Sequence, residues 1–227
     1  HIANRNPIAF PTITGELTYI GAEAVERDIT GTKHALAAAG KPVSDGFVAA
    51  ISPGSAARVA NAFYEDDEAV VWACADVLRE EYKRITDAGL TVQIDAPDIA
   101  EGWDQMNPEP SVEDYRAFSR VRIDALNHAL EGIDPNLVRF HVCWGSWHGP
   151  HTTDIAFKDI VDLVLLVNAN GLTFEAANAR HAHEWTIWRD TPLPEGKYLI
   201  PGVVSHSTNV VEHPELVAQR IRQFADI

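Results

Sequence analysis

A short apolar run followed by a longer amphipathic stretch recurs along the chain, and this alternation constrains the fold more than any other feature. The short runs are Gly46–Ile51 (GFVAAI), Leu90–Asp95 (LTVQID), Leu137–Cys143 (LVRFHVC), Gly171–Glu175 (GLTFE) and Tyr198–Val204 (YLIPGVV). All five read as buried parallel strands. Helical patterns are expected between and around them, over about 22–39, 66–88, 112–131, 156–168 and 213–226. In the second, Val70, Val71, Cys74, Val77, Leu78 and Ile85 keep a 3.6-residue period, and Gly89 sits where a helix C-cap belongs. Pro214 stands in the first turn of the last helix, where its missing N–H costs nothing.

Strands alternating with helices give a parallel sheet with helices outside it, either doubly wound or a (β/α)8 barrel. The polar residues separate the two. Asp95, the His141/Cys143 pair, Glu175 and His206 each stand at or just beyond the C-terminal end of a predicted strand. Successive strands that deliver reactive groups to one rim describe a barrel, whose active site is built from the loops at that face. A doubly wound sheet would gather them at one switch point. The chain also lacks the glycine-rich signatures of dinucleotide and P-loop phosphate sites. Five or six strand–helix units are countable, the first residue is His1 rather than methionine, and the last helical pattern runs to Ile227. The expectation is an α/β protein with a (β/α)8 TIM barrel that is incomplete at both ends. Residues 1–227 would form a single catalytic domain cut from a longer chain.

Charge and cysteine content narrow the partners. With 18 basic and 33 acidic residues the formal net charge is −15, which argues against general binding to nucleic acid or an anionic membrane. No apolar run approaches the length of a membrane span, and no secretion signal is visible at the first residues. Two cysteines, Cys74 and Cys143, are too few for a disulfide scaffold. The expected setting is therefore the reducing cytoplasm, and the expected partners are small molecules.

The densest chemical signal is His141-Val142-Cys143, followed by Trp144, Gly145, Ser146, Trp147, His148, Gly149, Pro150 and His151. Alternation along a strand places His141 and Cys143 on one face, about 7 Å apart at the Cα atoms. They are either a satisfied core pair or two ligands of one zinc ion, to which Glu175 from the next strand end could add a third. Seven of the ten histidines lie between His141 and His213. Most of these fit loop hydrogen bonding, but His206 follows a strand-like run and stands where a general acid or base of a barrel would sit. Asp95 is costly at a buried strand end unless paired; a loop donor or a ligand ammonium would serve. Glu16 and Tyr19 have no evident role.

Five motifs in order resemble the cobalamin-independent methionine synthase family, in particular short homologues of its catalytic barrel. Ile51-Ser52-Pro53-Gly54 with Tyr64 and the following helix is similar to the P-S-P segment. Asp87-Ala88-Gly89 through Gln93-Ile94-Asp95-Ala96-Pro97 resembles D-A-G…Q-I-D-x-P. His141-x-Cys143 matches the metal-binding H-x-C, Phe174-Glu175 the strand-end glutamate, and Pro201-Gly202-Val203 with His206-Ser207 the P-G-V…H-S segment. The resemblance implies His141, Cys143 and Glu175 as zinc ligands and Asp95 as the binder of a substrate ammonium, with Ser52 a second substrate contact. His206 would be a proton donor or relay. It implies methyl transfer from a folate nitrogen to the thiol of homocysteine, the last step of methionine biosynthesis. Zinc would make the thiol a thiolate at neutral pH.

The family's fourth ligand, a cysteine in a D-C-G segment, has no counterpart in these residues. The Trp144–His151 loop and the segment from Asn178 to Trp185 resemble a distinct subgroup. One alternative keeps the zinc and changes the electrophile, as in epoxyalkane:coenzyme M transferases. A metal-dependent hydrolase and an inactive barrel relative are readings of another class. Assembly into a homo-oligomer stays open.

Overall fold

The structure is a computed structural model and describes residues 11–145 and 153–227. Its strands are β1 (Thr12–Ile13), β2 (Phe47–Ile51), β3 (Ala60–Asn61), β4 (Thr91–Ala96), β5 (Val138–Val142), β6 (Gly171–Glu175) and β7 (Tyr198–Gly202). Its α-helices are α1 (Ala22–Ala38), α2 (Pro53–Ala56), α3 (Asp67–Asp87), α4 (Val112–Ala129), α5 (Val161–Val164) and α6 (Pro214–Ala225). The five expected strands all form, and they hydrogen-bond in the order β2-β4-β5-β6-β7 with every pair parallel. The short β1 and β3 pair separately.

Register divides the sheet into two chemically distinct faces. Ala50, Ile94, Phe140 and Leu172 are successive partners across four strands. Together with Val92, Val138, Val142 and Phe174 they are buried in one core with Val71, Tyr82 and Ile85 of α3 and Tyr115, Ile123 and Leu126 of α4. Burying each such side chain contributes about 1.5–3 kcal/mol, so this layer dominates the stability of the fold. The alternate row, Ile51, Asp95, His141, Thr173 and Ile200, leaves the sheet on the opposite face. Among the described residues the helices of this core back one face, and the sheet is an arc of barrel wall whose inner face carries the polar groups.

The longest helix illustrates how the chain specifies these elements. The Asp66 carboxylate accepts the Ala69 N–H at 2.8 Å and caps α3, while Asp67 and Glu68 favour the positive end of its dipole. Val70, Val71, Cys74, Tyr82 and Ile85 are buried along one stripe. At the other end Gly89 takes φ +82°, and the Gly89 and Leu90 N–H groups return to Thr86 and Ile85 carbonyls, a Schellman closure. The Tyr82 hydroxyl donates to the Ile51 carbonyl at 2.6 Å, which fixes α3 against the end of β2.

One expected element differs. Instead of a helix over 156–168, there is a 3-10 turn at Phe157–Asp159 and the single turn of α5. Phe157, Ile160, Val161, Leu163, Val164 and Val167 are buried while Lys158, Asp162 and Leu166 face water, so the amphipathic pattern is present but the helix stops after one turn. Asn127 of α4 closes it, donating to the Leu166 carbonyl and accepting the Asn168 N–H at 2.7 Å. No helix among the described residues is long and apolar enough to cross a membrane.

Candidate active site

Asp95, His141 and Thr173 are consecutive partners across β4, β5 and β6, so their side chains form one row on the inner face. The next row along the strands holds Cys143, one residue beyond β5, and Glu175, the last residue of β6. The rows meet at the Cys143 sulfur. Burial pushes its thiol up to about 11, the carboxylates of Glu175, Asp95 and Glu101 push the same way, and the Gly145 N–H, donating to the sulfur at 3.3 Å, opposes them. Both cysteines are free. Cys74 lies in a separate apolar cluster with Ile13 and Val70.

Glu175 is buried, and its two oxygens have different surroundings. Oε2 accepts a hydrogen bond from Asn178 Nδ2 at 2.9 Å, whereas Oε1 is shielded from water and accepts none. Oε1 lies 3.7 Å from His206 Nε2, on a ring half exposed in the loop after β7. Asp95 is half-buried, and no hydrogen bond to its carboxylate is made among the described residues. These four residues, with His141, share one rim, as their strand-end positions in the sequence imply.

Ser52 is placed differently. It is 2% exposed, caps α2 by accepting the Ser55 N–H, and donates its hydroxyl to Asp98 Oδ1 at 2.6 Å. Its hydroxyl is thus committed to the buried carboxylate that joins the loops after β2 and β4. Ser55 and Arg122 complete that junction. Gly54 is required there, because a Cβ would lie 2.1 Å from Asp98 Oδ2.

The expected three-ligand zinc site is not drawn together. Among the described residues no three His, Cys, Asp or Glu side chains come close enough to hold one metal ion. Each proposed ligand has another neighbour: His141 Nδ1 lies 3.5 Å from Thr173 Oγ1, the Cys143 sulfur takes the Gly145 N–H, and Glu175 is held by Asn178 and His206. The donor set still suits zinc in kind, with imidazole nitrogen, sulfur and carboxylate on adjacent strand ends. A buried carboxylate oxygen without a hydrogen bond, beside a thiol pushed up by burial and then by three carboxylates, is an environment that a dication would stabilise.

Sequence reasoning missed Glu101. Its N–H donates to the Cys143 carbonyl at 3.1 Å, and its carboxylate pairs with Arg58 at 3.0 Å. The acidic run Asp95-Ala96-Pro97-Asp98-Ile99-Ala100-Glu101 was the available signal. Of the aromatic loop, Trp144 is buried, and Ser146, Trp147, His148, Gly149, Pro150 and His151 lie outside the described residues. Tyr19 donates to Glu81 at 3.1 Å, away from this rim.

Known proteins place the chain. The family described as cobalamin-independent synthase, catalytic domain, matches residues 6–227. A 2-hydroxypropyl-CoM lyase of Xanthobacter autotrophicus (strain ATCC BAA-1158 / Py2) is 24% identical over 251 residues, which cover 95% of this chain and 59% of that protein. The solved structure of a B12-independent methionine synthase from Shewanella sp. W3-18-1, in complex with selenomethionine, superposes with a TM-score of 0.65 at 19% identity. That alignment covers 96% of this chain and 59% of the other. The chain therefore spans about three-fifths of the length of both relatives. At this identity the structural likeness establishes the fold, a TIM barrel of which the parallel sheet forms part of the wall. The match over nearly every residue identifies the chain as a member of the cobalamin-independent synthase catalytic-domain family.

Proposed function

We propose that residues 1–227 form one catalytic domain that transfers a methyl group to the sulfur of a small thiol, with zinc held by His141, Cys143 and Glu175. The observation that carries this reading is the buried Glu175 oxygen that accepts no hydrogen bond, set at the strand end beside Cys143. When bound, zinc would supply an acceptor thiolate at neutral pH. The protein's own groups supply the rest. Asp95, half-buried and without a hydrogen-bond donor among the described residues, would take the ammonium of an amino-acid thiol such as homocysteine. Ser52 would act through the loop junction it ties, since its hydroxyl is already given to Asp98.

In the reaction a sulfur–carbon bond forms as the donor's nitrogen–carbon bond breaks. The electron pair left on nitrogen takes a proton, as a folate nitrogen must to leave. His206 is half exposed and its Nε2 lies 3.7 Å from Glu175 Oε1, which places an imidazole near the reacting groups where it would deliver that proton. Two relatives bracket the chemistry: one is named a methionine synthase, the other a lyase of a hydroxypropyl thioether. Three carboxylates acting on Cys143 favour a thiol bearing an ammonium over one bearing an anionic group.

Calorimetric titration with homocysteine tests this. In zinc-loaded protein, Asp95→Asn is expected to weaken binding by about tenfold or more, the value of a charge-assisted hydrogen bond. Unchanged affinity would exclude the amino-acid thiol and turn attention to coenzyme M. Metal analysis after purification without chelator should find close to one zinc per chain, falling sharply in Cys143→Ser. A wild-type protein that retains none would end the zinc reading.

A further inference from the structure

Beside the strand ends lies a buried polar cluster to which the proposed reaction gives no role. His181 is 4% exposed, and both of its ring nitrogens face carboxylates. Nδ1 is 3.0 Å from Glu184 Oε2, and Nε2 is 3.4 Å from Asp154 Oδ2. The Nδ1 contact is a hydrogen bond, whereas Nε2 faces its carboxylate without making one. The flat face of the ring is covered by the Trp144 indole, with ring centres 4.2 Å apart and planes 30° apart. Neither carboxylate belongs to His181 alone: Glu184 Oε1 accepts the Phe157 N–H at 2.7 Å, and Asp154 Oδ2 pairs with Arg180 at 3.2 Å. The indole N–H of Trp144 donates to the Ile155 carbonyl at 3.1 Å.

These contacts join two loops that leave neighbouring strands. On the β5 side, Trp144 is covalently next to Cys143. On the β6 side, the His181 N–H donates to the Asn178 carbonyl at 3.0 Å, and the Asn178 side chain in turn donates to Glu175 Oε2 at 2.9 Å. One imidazole thus links the residue after Cys143 to the residue that orients Glu175, in addition to the pairing of Val142 with Phe174 across β5 and β6. Burying a histidine between two carboxylates is expensive unless every contact is kept, so the cluster has one favoured arrangement and holds its neighbours to it.

We propose that His181, clamped between Asp154 and Glu184 beneath the Trp144 indole, is the positioning residue that sets Cys143 and Glu175 relative to one another. This rests on the proposed function only for what Cys143 and Glu175 do, not for how they are held. The apolar cleft between β7 and α6 and the exposed inner sheet face at Phe47, Ile51 and Tyr198 have nothing beside them that identifies an occupant.

The test is alkylation by iodoacetamide of chelator-treated full chain, with Cys143 and Cys74 quantified separately by peptide mass spectrometry. Cys74 is buried in the other apolar cluster and serves as the internal reference. His181→Asn and His181→Gln each keep a donor for one carboxylate and lose the other. Both are expected to raise the Cys143 to Cys74 rate ratio about tenfold, because local opening around Trp144 becomes easier while global opening affects both thiols alike. Glu184→Gln keeps the shape of the cluster and should raise the ratio by a smaller factor; it decides the matter if the His181 variants do not fold. An unchanged ratio in every folded variant, even with a lower Tm, would overturn the proposal. The outcome is independent of zinc: a raised ratio in a protein that never retains metal would keep the clamp and remove the zinc reading.

Discussion

At Gly54 the absence of one carbon holds the rim together. A Cβ there would meet Asp98 Oδ2 at 2.1 Å and Arg122 Cγ at 2.8 Å, so Gly54→Ala must displace a buried carboxylate from Ser52 and Ser55. Urea denaturation should show a loss of about 2–4 kcal/mol, the range for breaking a buried charged network. Cys143 offers a second test in chelated protein. Its thiol is pushed up to about 11, mainly by burial and then by Glu175, Asp95 and Glu101. Its alkylation rate should therefore climb through the alkaline range as the thiolate forms. Glu175→Gln removes one upward push, so the same rise should occur at lower pH; a curve shifted the other way would contradict the arrangement. That His141 and Cys143 share one face was legible from i, i+2 spacing, and the positions of Glu175 and Asp95 from the strand ends. That Ser52 is closed off was not, because it depends on Asp98, 46 residues away.

Among the elements, the caps were written most plainly. Ser111 accepts the Asp114 N–H at 3.0 Å and donates to the Asp114 carboxylate at 2.7 Å, which starts α4 where the sequence pattern begins. Ser111→Ala should cost about 1 kcal/mol by urea denaturation, as N-cap losses do. Tyr115, one turn into the same helix, donates to the Asp98 and Ile99 carbonyls at 3.1 and 3.0 Å. A frayed α4 start would thus loosen the loop that carries Asp98 and Glu101, and Ser111→Ala should lower ligand affinity more than its distance from the rim suggests. The segment after Cys143 was the least legible element. Its pattern suits a longer helix, but Asn127, on another helix, closes it.

For the whole molecule, net charge and an open sheet set the behaviour. A formal charge of −15 makes the folded state repel itself. The urea midpoint should rise when sodium chloride is raised from low to moderate concentration, since screening relieves a net repulsion that exceeds what the mostly exposed ion pairs gain. A falling midpoint would mean that specific ion pairs outweigh the net charge. The order of strands and helices, the parallel sheet, and the gathering of Asp95, His141, Cys143, Glu175 and His206 at one rim were determined by the sequence, because apolar period and strand-end position are local properties of the chain. The tertiary structure alone decided which of those groups meet. Cys143 is surrounded by Glu101 as well as Glu175, His141 leans to Thr173, Ser52 turns to Asp98, and His181 is enclosed by Asp154, Glu184 and Trp144. Except for the local His181–Glu184 pair, these contacts join segments distant in the chain, set by how strands and loops pack, and no spacing along the chain encodes them.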